Sequence, residues 1–222
     1  MSKNSFPLAV LWDMDGTLVD SEHYWSISQN RLAESYGAVW TKEDEQGVIG
    51  SSLYDSSALI REKFGIADRS VQEIIDHLTE EVIAQLRQSL PWRPGALDLL
   101  MDLRQAGVKT ALVTMSMRRM ALAVAESIPF PAFDVVIAGD DVRFGKPHPE
   151  PYLMAAQHLG VRPEDCIAFE DSIPGLASAA AAGTHAIGVT NLVPLPSGPD
   201  RRIISTLEGL ASHNLHELRL YD

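Results

Sequence analysis

The stretch VLWDMDGTLVDSE, Val10 to Glu22, decides how the rest of the chain is read. An apolar run ends abruptly in two aspartates one residue apart, Asp13 and Asp15, and Gly-Thr and further acids follow at once. A strand breaking into a polar turn is ordinary. Carboxylates packed this tightly repel one another unless a cation or a proton relieves them, so the stretch calls for a metal ion. The Asp-x-Asp spacing points both side chains to one side if the strand persists. Gly16 permits a sharp exit, and Thr17 is placed to bind that turn internally.

Downstream, KTALVTM, DVVIAGD, CIAFED and HAIGV are short β-rich runs with polar or turn residues at their C-terminal ends, as buried parallel strands read. Helical patterns lie between them: GALDLLMDLRQAG, SMRRMALAVAES, PEPYLMAAQHLG and IPGLASAAAAG. Gly107, Gly160 and Gly183 stand where helix C-caps are wanted. Strand and helix alternate from about Pro94 to Val189, which predicts an α/β fold, a Rossmann-like parallel sheet covered by helices on both faces. Between Ser21 and Ser89 the alternation stops. SISQNRLAESYG, LYDSSALIREKFG and RSVQEIIDHLTEEVIAQLRQSL read as helices without a convincing strand, an all-helical cap inserted after the first strand. The expected division is 1–20 and 90–222 for the core and 21–89 for the cap, with LPWRPG as one hinge. Past Val189 come a Pro/Gly-rich loop, a short strand at Arg202 to Ser205 and a helix near NLHELRL.

Composition narrows the function classes. The 222 residues are 45% hydrophobic, ample for a core. Eighteen basic against 30 acidic residues give a formal charge of −12, which disfavours nucleic acid and anionic membrane surfaces as partners. No apolar stretch reaches the roughly 18 to 20 residues that span a bilayer, and MSKNSFPLAVLWDMD offers only a short apolar run interrupted by acid, so the expected location is cytoplasmic. Cys166, the single cysteine, reads as a buried side chain on a strand. A monomer, or at most a weak dimer, is expected.

In a parallel sheet, ligands bind beyond the carboxyl ends of the strands, where the strand order reverses. Asp13 and Asp15 end the first strand, Thr114 ends TALVT, Lys146 sits in FGKPHPEP, and Glu170 with Asp171 ends CIAFED. All fall on the same sheet edge. The acids are hard oxygen ligands of the kind Mg²⁺ prefers, while Lys146 and Thr114 supply charge and hydrogen-bond donors for phosphate oxygens. Of a carboxylate pair so placed, one can attack phosphorus while the other moves protons. Ser116 is placed to back up Thr114, and Arg118 or Arg119 could reach an anionic substrate. Ser21 and Glu22 stand at the cap entry with His23, Tyr24 and Trp25, whose aromatic rings could equally pack the hinge.

DMDGTLVDSE, LVT, GKPHPEPY and FEDSIPGLASAAAAG resemble, in order, the four motifs of the haloacid dehalogenase-like hydrolase superfamily, and specifically phosphatases with a small helical cap, the β-phosphoglucomutase-like subgroup. The resemblance covers nearly the whole chain. It implies Asp13 as an aspartyl-phosphate nucleophile that also binds Mg²⁺, and Asp15 as general acid and base with its backbone carbonyl on the metal. It further implies Thr114 and Lys146 as phosphoryl-binding groups, Asp171 as a direct metal ligand and Glu170 as an outer one. The cap's specificity loop would fall on VIGSSLYD, making Gly50, Ser51 and Ser52 candidate pocket residues.

The expected reaction is therefore Mg²⁺-dependent hydrolysis of a small phosphate ester, such as a sugar or polyol phosphate. Dehalogenases of this superfamily lack the second acid of the first motif, and Asp15 is present. A phosphonate hydrolase would need a Schiff-base lysine in the cap, and neither Lys42 nor Lys63 has that context. A β-phosphoglucomutase-like phosphomutase is the alternative, but its cap-entry histidine falls at Trp25, and VIGSS offers no basic cap residue. A non-catalytic phosphometabolite-binding protein would be expected to lose Asp13 or Asp15.

Overall fold

Strand β1 (Ala9–Trp12) is only four residues long, yet buried throughout, because it lies in the middle of the sheet. β2 (Lys109–Val113) pairs with one side of it and β4 (Cys166–Glu170) with the other, both parallel. β3 (Val135–Ile137) flanks β2, while β5 (His185–Val189) and β6 (Arg201–Ile204) continue beyond β4, giving the order β3-β2-β1-β4-β5-β6. The chain thus builds outward from β1 in one direction and returns to build in the other. The reversal makes the carboxyl end of β1 the switch point of the sheet. The computed structural model describes residues 6–220, so the outermost residues of the expected core segments, 1–5 and 221–222, lie outside the described residues.

Period-2 alternation sends the strands' side chains into two apolar layers. Val10, Trp12, Leu112, Ile167 and Phe169 face one, where α5 (Ala96–Gln105) and α6 (Arg118–Glu126) contribute Leu99, Leu103, Met120 and Val124. Leu11, Val113 and Ala168 face the other with Tyr152 and Ala155 from α7 (Glu150–Leu159) and Leu176 from α8 (Ile173–Ala181). Each fully buried Leu here contributes about 1.5–3 kcal/mol over an exposed one. Gly160 caps α7 in the left-handed region, and Gly107 and Gly183 stand one residue past the caps of α5 and α8 with φ of 74° and 83°. Cys166 is buried on β4, where burial pushes its thiol up to about 12.

Four helices without a strand among them separate β1 from α5: α1 (Glu22–Ser35), α2 (Lys42–Val48), α3 (Leu53–Lys63) and α4 (Val71–Leu86). A capping box of Ser70 and Glu73 starts α4, whose Ile74, Leu78 and Val82 are buried where it packs against α1 and α3. Their apolar cluster is continuous with that of one face of the sheet, and Leu18, Val19 and Trp25 belong to it. Arg119 of α6 also reaches the insertion, pairing with Asp76 at 2.7 Å and Glu80 at 3.0 Å on α4.

Two local expectations change, and one helix is added. Thr17 is fully buried but its hydroxyl has no hydrogen-bond partner; the turn is closed by main-chain bonds from Gly16 to Val19 and from Leu18 and Val19 to Met14. The expected terminal helix is a single 3-10 turn, Leu215–Leu218. Helix α2 was not expected from apolar periodicity, since none of its residues is buried. No helix among the described residues is long and apolar enough to cross a membrane.

Candidate active site

The ladder runs one residue past β1, with Asp13 N donating to Phe169 O at 3.0 Å, and then the chain turns. Gly16 makes that turn with φ of 84°, and a Cβ there would come within 1.9 Å of Asp171 Oδ2. Only glycine lets the first and last acidic motifs approach this closely. Asp13 is 6% exposed, and its Oδ1 accepts from Lys146 Nζ at 2.6 Å. The same ammonium donates to Val113 O at 2.9 Å and lies 2.6 Å from Glu170 Oε1, which also accepts from the Tyr152 hydroxyl at 2.6 Å. Burial works against the Lys146 charge, but Asp13 and Glu170 outweigh it and hold the ammonium above its ordinary range.

One lysine does not neutralise the acids gathered here. Oxygens of Asp13, Glu170 and Asp171 all lie within 4.8 Å of one another, and all three residues are buried. Burial first, and Glu170's charge second, raise the carboxyls of both Asp13 and Asp171 well above the usual range. Asp13 Oδ2 is buried with no hydrogen-bond partner, an atom that a cation would satisfy. Hard oxygen donors, excess negative charge and an orphaned acceptor fit a small divalent cation.

Asp15 belongs to a different network. Its Oδ2 accepts from Ser116 Oγ at 2.7 Å and Thr114 Oγ1 at 3.3 Å, and its Oδ1 from Trp25 Nε1 at 3.1 Å and from the Ser21 hydroxyl. Two donors come from the loop after β2 and two from the cap entry, so Asp15 joins core to insertion. The cavity over these groups has a volume of about 440 Å³, within the range of small-ligand sites.

Of the residues singled out in the sequence, Asp13, Asp15, Glu22, Gly50, Ser51, Thr114, Ser116, Lys146 and Asp171 line this cavity. Glu170 lies beneath it, fully buried against Tyr152, Lys146 and Ser172. Ser21 is buried and spends its hydroxyl on Asp15. Three candidates are placed elsewhere, Arg119 among them through its pairs with Asp76 and Glu80 on α4. Ser52 caps α3 by accepting from Asp55 N at 3.1 Å. Arg118 turns toward the loop after β3, where its Nε meets Asp141 at 2.9 Å and its Nη2 the Val136 carbonyl at 3.0 Å; a matched carboxylate on that side holds the guanidinium away from the cavity. Gly50, with φ of 74°, is where the cap loop touches the core: a Cβ there would meet Ser172 Oγ at 2.5 Å.

Periodicity did not reveal Gln29, Lys42, Glu45 or Gln46, which also line the cavity. Glu45 Oε1 accepts from Ser26 Oγ at 2.7 Å and Asn30 Nδ2 at 2.8 Å. The available signal was Thr41-x-x-Asp44, whose capping box starts α2 and carries Lys42, Glu45 and Gln46. The insertion's lining therefore does include a basic residue, from α2 rather than from VIGSS.

A parallel sheet that gathers buried acids and a lysine at its switch point, beneath a helical insertion, defines a capped Rossmann-like hydrolase. A model of the haloacid dehalogenase-like hydrolases matches residues 7–183. The phosphorylated carbohydrates phosphatase of Thermotoga maritima is 33% identical over 180 residues, covering 81% of this chain and 83% of that protein. Hexitol phosphatase A of Escherichia coli is 32% identical over 185 residues, 81% of each. The crystal structure of CbbY from Rhodobacter sphaeroides in complex with phosphate superposes with a TM-score of 0.83 at 27% identity, covering 92% of this chain and 96% of that one. The chain belongs to the haloacid dehalogenase-like hydrolase family, and within it is an enzyme of the phosphatase kind that these relatives represent.

Proposed function

We propose that this protein is a Mg²⁺-dependent phosphomonoesterase that hydrolyses a small sugar or polyol phosphate through a phosphorylated Asp13. The observation that carries the reading is Asp13 itself: one oxygen is held by Lys146 at 2.6 Å, and the other is buried without a partner among Glu170 and Asp171. Side chains of Asp13 and Asp171, with the Asp15 main-chain carbonyl, would hold the cation, and Glu170 would support it from below. The ion supplies positive charge for the phosphoryl oxygens and lets carboxylates stay ionised beside an anionic ester.

The chain's own groups account for the rest. Lys146 fixes Asp13 and offsets charge on the transferring group, whose stabilisation dominates this chemistry. Asp13 attacks phosphorus, the ester P–O bond breaks, and the departing alkoxide takes a proton from Asp15. Water then attacks the acyl phosphate, gives its proton to Asp15, and releases phosphate and free Asp13. Thr114 and Ser116 stand beside Asp15, where they can donate to phosphoryl oxygens as the acid turns toward the leaving group. Trp25, at the place of the mutase histidine, donates its indole N–H to Asp15, which supports water rather than a second sugar hydroxyl as acceptor. The named activities of the phosphorylated carbohydrates phosphatase and of hexitol phosphatase A support the substrate class.

Phosphate release from a panel of sugar and polyol phosphates tests this directly. Release is expected with Mg²⁺, is expected to stop with EDTA, and should fall on the order of 10⁴-fold or more in Asp13→Asn. A folded Asp13→Asn protein that keeps substantial turnover would sink the nucleophile assignment.

A further inference from the structure

The two ends of the cavity are electrically unlike. At the sheet end Lys146 and the proposed cation stand against the acids. At the far end, formed by α1 and α2, the lining carries Glu45 against one ammonium, Lys42, which is exposed and so screened by water and salt; Glu22 stands nearer Asp15 and Asp13, and with its carboxyl pushed up to about 8 it adds little charge at pH 7. Glu45 is the fixed member. Ser26 and Asn30 both bind its Oε1, so the carboxylate cannot swing aside without giving up two hydrogen bonds. No arginine lines the cavity among the described residues, so the far end lacks the forked guanidinium that usually takes a phosphate. Its neutral lining, Ser26, Gln29, Gln46 and Ser51, suits hydroxyl groups. Gln29 is oriented by Trp40, whose indole donates to Oε1 at 2.9 Å.

Resting on the phosphatase reading above, we infer that the far wall, with Glu45 as its fixed carboxylate, selects esters with a single phosphate and a neutral or cationic hydroxylated remainder. It rejects those bearing a second phosphate. A second phosphate brings a further charge of about −1.5 to −2 at pH 7, and placing it beside the fixed Glu45 carboxylate costs binding of the wrong ester rather than favouring the right one.

The test compares kcat/KM for glucose 6-phosphate, glucosamine 6-phosphate and glucose 1,6-bisphosphate, with p-nitrophenyl phosphate as a small reference ester. Glucosamine 6-phosphate should match or exceed glucose 6-phosphate. The bisphosphate should fall at least about 10-fold below both, mainly through KM, and the gap should narrow as salt is raised. Glu45→Lys should close most of that gap. Glu45→Gln, which keeps an acceptor for Ser26 and Asn30, should close part of it and guards against misfolding of the charge reversal. A wild-type enzyme that hydrolyses the bisphosphate as efficiently as glucose 6-phosphate overturns the inference while leaving the phosphatase reading intact. Silence from every ester, the aryl phosphate included, would overturn the phosphatase reading and the selectivity with it.

Discussion

Two sets of carboxylates face one cavity and are held in opposite ways. Asp13, Glu170 and Asp171 belong to strand ends: β1 and β4 are adjacent in register, Trp12 opposite Phe169, so the acids that follow must converge. They are buried and crowded, with Asp13 and Glu170 tied to one lysine and Asp171 held by Asn191. Glu22 and Glu45 sit instead on helices of the insertion, partly exposed, with Glu45 steadied by neutral partners. The sheet-end acids are placed by backbone geometry and tolerate almost no movement, as the proposed role on reacting atoms requires. The insertion's acids are placed by side-chain packing, which can vary without disturbing the sheet, so the proposed chemistry and the proposed choice of substrate would reside on different scaffolds.

The largest effect that would break this contrast comes from Lys146. Lys146→Met removes the shared cation from between Asp13 and Glu170, which are 2.6 Å from it on either side. Uncompensated buried charge should cost about 3–5 kcal/mol in denaturant unfolding, together with loss of turnover. Substituting Glu45, on the insertion, should leave unfolding within about 0.5–1 kcal/mol of wild type. Equal stability losses at the two sites would erase the distinction.

The same contrast explains what could be read from the sequence. Asp13, Asp15, Thr114 and Asp171 each end or follow a buried apolar run, and Lys146 lies in the loop beyond β3; the rule that parallel strands present their carboxyl ends together brings them to one edge without knowledge of packing. Alternation of strand and helix was legible for the same reason. Arg118 was misplaced because which way an arginine turns from a helix start depends on a carboxylate contributed by another segment, Asp141. Glu45 was invisible because α2 has no buried stripe and is marked only by its Thr41 cap. Trp25 was ambiguous between packing and the cleft, and it does both: it is 6% exposed in the apolar cluster while its N–H binds Asp15.

Trp25 offers an intermediate effect. If the cap entry positions the acid, Trp25→Phe should preserve the apolar packing and remove one of four donors from Asp15. Alkyl phosphates, whose leaving groups need a proton, should lose about 10-fold in kcat, whereas p-nitrophenyl phosphate should lose little. Measuring both esters across pH separates positioning from packing. A uniform loss for both esters with an unchanged pH profile would assign Trp25 to the core alone.

The smallest effect concerns Glu22, the insertion acid that feels the charge of Asp15 and Asp13 most. Burial, then the nearby Asp15 and Asp13, push its carboxyl from 4.5 up to about 8. The sign follows from proton counting. Below about pH 4.5 the group is protonated whether the chain is folded or not, and it contributes no pH dependence. Between 4.5 and 8 the unfolded chain has released a proton that the folded chain still holds, so stability falls as pH rises, and above 8 the cost is constant. In chelator, Glu22→Gln should therefore flatten the decline of stability across that window by on the order of 1–2 kcal/mol, after allowance for its partial exposure. Adding Mg²⁺ should shrink the difference, because a cation on Asp13 offsets one of the charges that raise Glu22. If wild type and Glu22→Gln show parallel pH profiles in chelator, the field of the sheet-end acids does not reach the cap entry, and the two sets are independent rather than graded.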